Sequence, residues 1–379
     1  MTSEEIHCST GHSLLDSDRY RRYHFERFIA VFLKGIMQTK HVSWFVTCSA
    51  VALGAVSVLI FRMIGPPVLA QSRPEATRAD FDRYFKELSN WNRWGKDDQM
   101  GAVNLITPAK RKQAASLVKE GASFSMARTA EMEKAVDNPQ PIVRQMTRPG
   151  TNQNPKTDVS SSADTFFISY HGYAHTHMDS LCHFFYKGQM YNGYSQDQVT
   201  ENGALKNSIL NFKNGIVTRG ILMDIARLKG VDYLEPGTRI YPEDLDAWER
   251  KAHVKVGPGD VVFIRTGRWA RRDAKGPWPI SEGLAGLYIT CAKWLHSRDV
   301  AILGGDGAQD VLPSGVDGIS QPIHELVLVA MGMPIFDNCD LEQIGREAEK
   351  RQKWEFLVTA SPAAVAGATG SVLNPIATF

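Results

Sequence analysis

The stretch from His171 to Phe184, His-Gly-Tyr-Ala-His-Thr-His-Met-Asp-Ser-Leu-Cys-His-Phe, constrains this chain more than any other. It gathers His171, His175, His177 and His183 around one carboxylate, Asp179. Read as a strand over 168–179, its odd positions are Ser169, His171, Tyr173, His175, His177 and Asp179. Its even positions, from Ile168 to Met178, are mostly apolar or small. A period of two marks a strand lying between two environments. An imidazole and a carboxylate two residues apart on one face lie roughly 6–7 Å apart at the backbone and can converge on one ion. Burying such a face unpaired costs free energy, and a divalent cation offsets that cost. A surface histidine cluster, or unrelated core histidines, are the blander alternatives. His183 follows Asp179 by one helical-turn spacing, just past the predicted strand end, where a proton-transfer group belongs.

The chain has 379 residues, enough for one large domain or a domain with extensions. A net charge of +2 gives no electrostatic footprint for nucleic acid. The five cysteines are scattered without a Cys-x-x-Cys pair, which argues against a zinc ribbon or a disulfide framework. Cys182 reads as a small buried residue before it reads as a nucleophile.

Residues 1–70 read as an N-terminal leader. Arg19, Arg21, Arg22 and Arg27 precede an uncharged apolar run over 42–61, long enough for a membrane anchor or a secretory signal segment. Val68-Leu-Ala70 before Gln71 fits a small-x-small cleavage site, and Met37 is the tidier start for such a signal. Either form engages the membrane or the secretion machinery and places the protein outside the cytoplasm. Residues 71–379 then read as a single catalytic domain.

Within it the patterns predict helices over 79–88, 107–119, 242–251, 286–296, 322–330 and from Asp340 to Lys350. Thr107 is a good cap and Pro108 a good first helical residue. Strands are expected over 215–225 as a pair or one bent strand, 256–267 after a turn, 300–304, 334–340 and 354–360. A turn is expected at 190–193, and a Gly/Ala-rich loop ends the chain. The stretch 133–163, rich in Pro, Asn, Ser and Thr, reads as an exposed insertion. Arg219 and Asp224 read as an internal ion pair or a support for the site. The loop 91–104 carries Trp91 and Trp94, which either wall a ligand pocket or simply pack an N-terminal arm. The class is α/β.

Several stretches together resemble the cyclase family that includes bacterial kynurenine formamidases and isatin hydrolase. They are Trp94-Gly-Lys-Asp-Asp-Gln-Met-Gly-Ala-Val-Asn104, Thr176-His-Met-Asp-Ser-Leu-Cys-His-Phe184, Thr218-Arg-Gly220 with Asp224, Pro258-Gly-Asp260 with Thr266-Gly267, Asp306, His324 and Asp337-Asn338. The likeness spans about 90 to 375. The family motif reads His-x-Gly-Thr-His-x-Asp-x-Pro-x-His. Aligned on it, His177 and Asp179 fall on metal ligands and His183 on the catalytic acid/base. A later ligand pair falls on His324 and Asp337, the latter an Asp where the formamidases have Glu. The chain departs from the motif at Tyr173, where the family's first His belongs, at His175 for its Gly and at Leu181 for its Pro. His175 has the strand phase to replace the missing ligand, and His171 is the next candidate.

The resemblance implies a swivelling β/β/α domain with a small β-barrel-like core, often dimeric or tetrameric. It implies a divalent metal, zinc or manganese, and hydrolysis of an amide of the aryl formamide or cyclic imide type by metal-bound hydroxide, as in tryptophan catabolism. Tyr173, Trp91 and Trp94 would bind a small-molecule substrate, and Asp306 and Arg219 would orient ligands. The alternatives are a polyketide- or lactone-type cyclase or lyase with the same metal, or an envelope protein that binds metal without turnover.

Overall fold

The fold is taken from a computed structural model, which describes residues 75–379. The leader, its apolar run and the proposed cleavage site lie outside these residues. Among the described residues no helix is long and apolar enough to cross a membrane.

Nine strands form one large sheet that curls into a half-barrel. In chain order they are β1 (Ser123–Ser125), β2 (His177–Asp179), β3 (Ile216–Asp224), β4 (Val261–Arg265), β5 (Ile302–Gly305), β6 (Ile335–Asp337), β7 (Glu355–Ala360), β8 (Gly370–Val372) and β9 (Ile376–Thr378). The spatial order is β1-β9-β7-β3-β4-β5-β6-β2-β8. The middle four, β3 to β6, run parallel, and every other neighbour pairing is antiparallel. Parallel neighbours need crossovers, and helices supply them. Pro242–Ala252 connects β3 to β4, while Arg268–Lys275 and Cys291–Ser297 lie between β4 and β5. The four central strands are buried throughout apart from two half-exposed residues of β3, and read as near-continuous apolar runs, as strands covered on both faces do.

The predicted 79–88 helix forms as Arg78–Glu87, with Thr77 and Asp80 closing a reciprocal cap. Thr107 caps a shorter helix, Pro108–Ala115. The predicted 215–225 pair is one nine-residue strand, β3. The 286–296 helix begins only at Cys291, because Gly286–Leu287 pairs as a short strand with Arg239–Ile240. A side chain at 286 would lie 2.5 Å from the Asp310 backbone, so glycine permits that approach. The helix predicted over 322–330 starts as Pro322–His324 and widens into a π-helical turn, Glu325–Ala330. The C-terminal loop contains β8 and β9.

The 133–163 insertion is exposed only in part. Asp137 and Asn138 are buried, whereas Val143–Arg148 and Ala163–Phe167 pair as a projecting hairpin with Val143, Met146, Phe166 and Phe167 exposed.

Candidate metal centre

The site grows from the β2–β6 pairing. The register sets His177 opposite Asp337 and Asp179 opposite Ile335. Met178 between them is fully buried, so the period of two that placed His177 and Asp179 on one face holds here. Asp337 ends β6, at the carboxyl edge of the parallel strands, where open α/β sheets bind ligands.

His177 Nδ1 faces the His175 carbonyl at 2.8 Å, which leaves Nε2 toward Asp179 Oδ1 at 3.3 Å. His324 comes from the crossover between β5 and β6. Its Nδ1 lies 2.6 Å from Asp310 Oδ2, and the Ile323 and His324 amides donate to the same carboxylate. That grip turns His324 Nε2 toward Asp337 Oδ2 at 3.2 Å and Asp179 Oδ2 at 3.9 Å. Gln309 Nε2 donates to the other Asp337 oxygen at 3.1 Å. His171 Nδ1 reaches Asp179 Oδ1 at 3.0 Å while Nε2 contacts Thr369 Oγ1 at 2.9 Å. The His183 ring stacks on His171 with centroids 3.7 Å apart, and its Nε2 lies 3.9 Å from Asp179 Oδ2.

Two groups of donors are close enough to hold an ion, His171–Asp179–His183 and His177–Asp179–Asp337, and Asp179 is common to both. Both Asp179 oxygens and His171 Nδ1 are buried without a well-formed hydrogen bond. Buried carboxylates are ordinarily satisfied, so orphaned oxygens ringed by imidazoles mark a place for a cation. The residues present fit a divalent metal: mixed imidazole and carboxylate donors, with the second nitrogens of His177 and His324 fixed by a carbonyl and a carboxylate.

The electrostatics agree. Burial would raise the Asp179 carboxyl, but the imidazoles of His183, His177 and His171 hold it well below the usual carboxylate range. Burial would lower His324, yet Asp337 and Asp310 lift it well above the ordinary imidazole value; burial would lower His177 too, but Asp179 leaves it raised. His183 behaves oppositely. Burial pushes it down to about 4, against the pull of Asp179, so its imidazole is neutral at pH 7.

The structure corrects four sequence expectations. His175 joins neither donor group; its Nε2 faces the Gln140 carbonyl at 3.4 Å. His171 takes the place next to Asp179. The physical reason is that 171–175 is a run of bends, so the strand phase does not extend back from His177. Asn338 Nδ2 holds the Gly172 and His175 carbonyls, Arg268 donates to the Tyr173 carbonyl, and Gly172 adopts φ +130°, which together fold His171 back over the strand. Trp91 and Trp94 do not wall the site. Trp91 donates to the Val329 carbonyl and packs edge-on against Phe85, and Trp94 lies under Arg93. Arg219 pairs with Asp260 and Glu355, and Asp224 with Arg265 and Arg227, so neither supports the cluster or the other. Asp306 accepts the Thr266, Gly267 and Arg268 amides and orients no ligand directly. It caps the helix that presents Arg268, whose Nη1 binds Asn338 Oδ1 at 2.6 Å. Tyr173 lines a cavity of about 170 Å³ together with His171 and His175.

Asp310 and Gln309 were not singled out in the sequence. The polar run Asp306-Gly-Ala-Gln-Asp310 directly after a buried strand was the available signal. Cys182 is fully buried, 3.1 Å from Ser180 Oγ, and burial pushes its thiol up to about 11, which removes the nucleophile reading.

Fold and cluster together define an α/β half-barrel protein with a histidine–aspartate metal-type centre. Residues 138–309 match the family model described as "Putative cyclase". The fold is similar to a solved novel cyclase, at TM-score 0.70 and 29% identity, covering 78% of this chain and 99% of that one. Isatin hydrolase A from Ralstonia solanacearum matches at TM-score 0.46 and 17% identity, over 68% of this chain and 91% of that one. The predicted metal-dependent hydrolase from Bacillus stearothermophilus matches at TM-score 0.43 and 15% identity, over 68% and 97%. No curated protein matches the chain. The resemblance to the cyclase family holds in sequence and in fold.

Proposed function

We propose that this protein is a metal-dependent hydrolase cleaving an amide, of the aryl formamide or cyclic imide type. The observation that carries the reading is the pair of orphaned Asp179 oxygens among His171, His177, His183 and His324. His177, Asp179, His324 and Asp337 would hold the cation, with His171 replacing the family's first histidine. A divalent cation there, zinc or manganese, supplies Lewis acidity and lowers the pKa of water from about 15.7 toward ~7.

His183 performs the proton work. Its imidazole is neutral at pH 7 and a quarter exposed, so it accepts a proton from the attacking water. It then returns that proton to the leaving nitrogen. His171, stacked flat on it, fixes the ring plane. Asp310 and Gln309 hold His324 and Asp337 in place.

Elemental analysis of purified protein, beside a screen of formanilides, cyclic imides and lactones, tests the proposal. Bound metal with amide turnover supports it. Metal with no turnover returns the binding-protein reading, and turnover of lactones alone favours the cyclase or lyase.

Two wider proposals accompany this one. The chain is exported or anchored through its leader, which N-terminal sequencing of the native protein checks. It also assembles with further copies of itself, drawing on the apolar exposure of the Val143–Phe167 hairpin, which light scattering of wild type and Phe167→Asp checks.

A further inference from the structure

The cavity beside His171 has two walls of different origin. His171, Tyr173 and His175 come from the bent run before β2, whereas Val136, Asn138 and Gln140 come from the segment ahead of the projecting hairpin. Among the described residues, none from 127 to 177 belongs to the apolar core. Arg128 anchors the start of this stretch, donating its amide to Thr176 Oγ1 at 2.8 Å. Tyr170 anchors its end, donating its hydroxyl to the Gly370 carbonyl at 2.9 Å. Between them, over 129–169, the hydrogen bonds and ion pairs to the rest of the described chain run through Arg272, Arg128 and His175. Arg272 Nε and Nη2 bind the two Asp137 oxygens at 2.6 and 3.2 Å, and its Nη atoms bind both Glu131 oxygens at 2.8 Å. Arg128 Nη2 reaches Glu131 at 3.2 Å, and the Gln140 carbonyl faces His175 Nε2 at 3.4 Å.

Closure of the two walls leaves polar groups unsatisfied. Asn138 Oδ1 on one wall and His175 Nδ1 on the other are buried without a partner. Their lost water is not replaced, so the closed arrangement carries a cost that opening relieves. A segment with few buried apolar contacts opens at a free energy below that of global unfolding. Against this stands one guanidinium fork spanning two carboxylates. We infer that residues 129–169 form a flap that swings away from the cavity, with Arg272 as its latch. Opening removes the Val136–Gln140 wall and admits a compound to the side of His171; closing rebuilds the wall around it. The inference rests on the hydrolase reading for what enters, but on the attachments alone for the motion.

The experiment reads the motion on the full metal-loaded protein. His175 is 3% exposed and outside both donor groups, so a thiol introduced by His175→Cys reports on the cavity while the metal stays. Its reaction with a maleimide is followed at its own peptide by mass spectrometry, beside hydrogen exchange of β3 to β6. With Arg272 intact, the thiol is expected to react while the central strands stay protected. Arg272→Gln should speed that reaction by about tenfold or more, the scale of losing hydrogen bonds to charged groups. Arg272→Lys, which keeps the charge but cannot fork across two carboxylates, should fall between them. A rate unmoved by Arg272→Gln, or labelling that rises only in step with exchange of the central strands, would overturn the inference. Absence of amide turnover would sink the hydrolase reading and leave the labelling result standing.

Discussion

His171 and His175 are chemically identical and four positions apart, yet only one touches Asp179. His171→Ala is expected to lower metal affinity by about 10-fold or more, whereas His175→Ala keeps the metal. Equilibrium dialysis with elemental analysis separates them. Asp310→Asn, which loosens the His324 ring, should weaken the metal by about 10–100-fold. His183→Ala should retain the metal and lose about 10²–10⁴ in kcat; full turnover by that variant would remove the proton-transfer role. Because burial depresses His183 to about 4, its base form persists well below the ordinary imidazole range. At this scale the sequence was partly legible. His177 and Asp179 stand on a true strand, so alternation located them correctly. His171 was misjudged because Arg268 and Asn338, the side chains that bend its backbone, lie far along the chain and leave no local mark.

Elements announced themselves where their own residues close them. Thr77 and Thr107 cap the helices they precede, and the apolar runs at 261–265 and 302–305 became buried strands. Elements defined by a remote partner were not legible: β8 and β9 exist because β2, β7 and β1 are there to pair with them. Tight contacts between elements are equally silent in sequence. Gly101 and Gly332 both adopt positive φ, and the Ala102 amide donates to the Gly332 carbonyl at 2.7 Å. A Cβ on Gly332 would lie 2.3 Å from the Tyr191 ring. Gly332→Ala is expected to destabilise the fold by about 2–5 kcal/mol, combining left-handed strain with overpacking. Denaturant unfolding would expose the error if the midpoint did not move.

For the molecule as a whole, metal and folding are linked. A cation that binds only the folded state adds about 2.7 kcal/mol at a hundredfold excess over its dissociation constant. Without it, the cluster relies on imidazolium–carboxylate attraction. His177 and His324 have folded pKa values raised above the unfolded value, so their contribution is full below about pH 6.5 and fades as pH rises through the folded values. Chelated protein should therefore lose stability from pH 6 to pH 8 while loaded protein does not. The gap between their melting temperatures is expected to widen over that interval, and a gap that narrows would contradict the electrostatic account. The α/β class could be read from alternating helix and strand signals. The curl of the sheet and its strand order could not, since they depend on pairings between distant segments.

The pairing of β2 with β6 has one more consequence. Shifting it by a single residue would send Met178 outward and turn both His177 and Asp179 into the core. The donor group His177, Asp179 and Asp337 thus meets only when two segments remote in the chain have docked in one alignment. A half-assembled chain would offer no such claw, and tight uptake of the ion would serve as a certificate that assembly is finished.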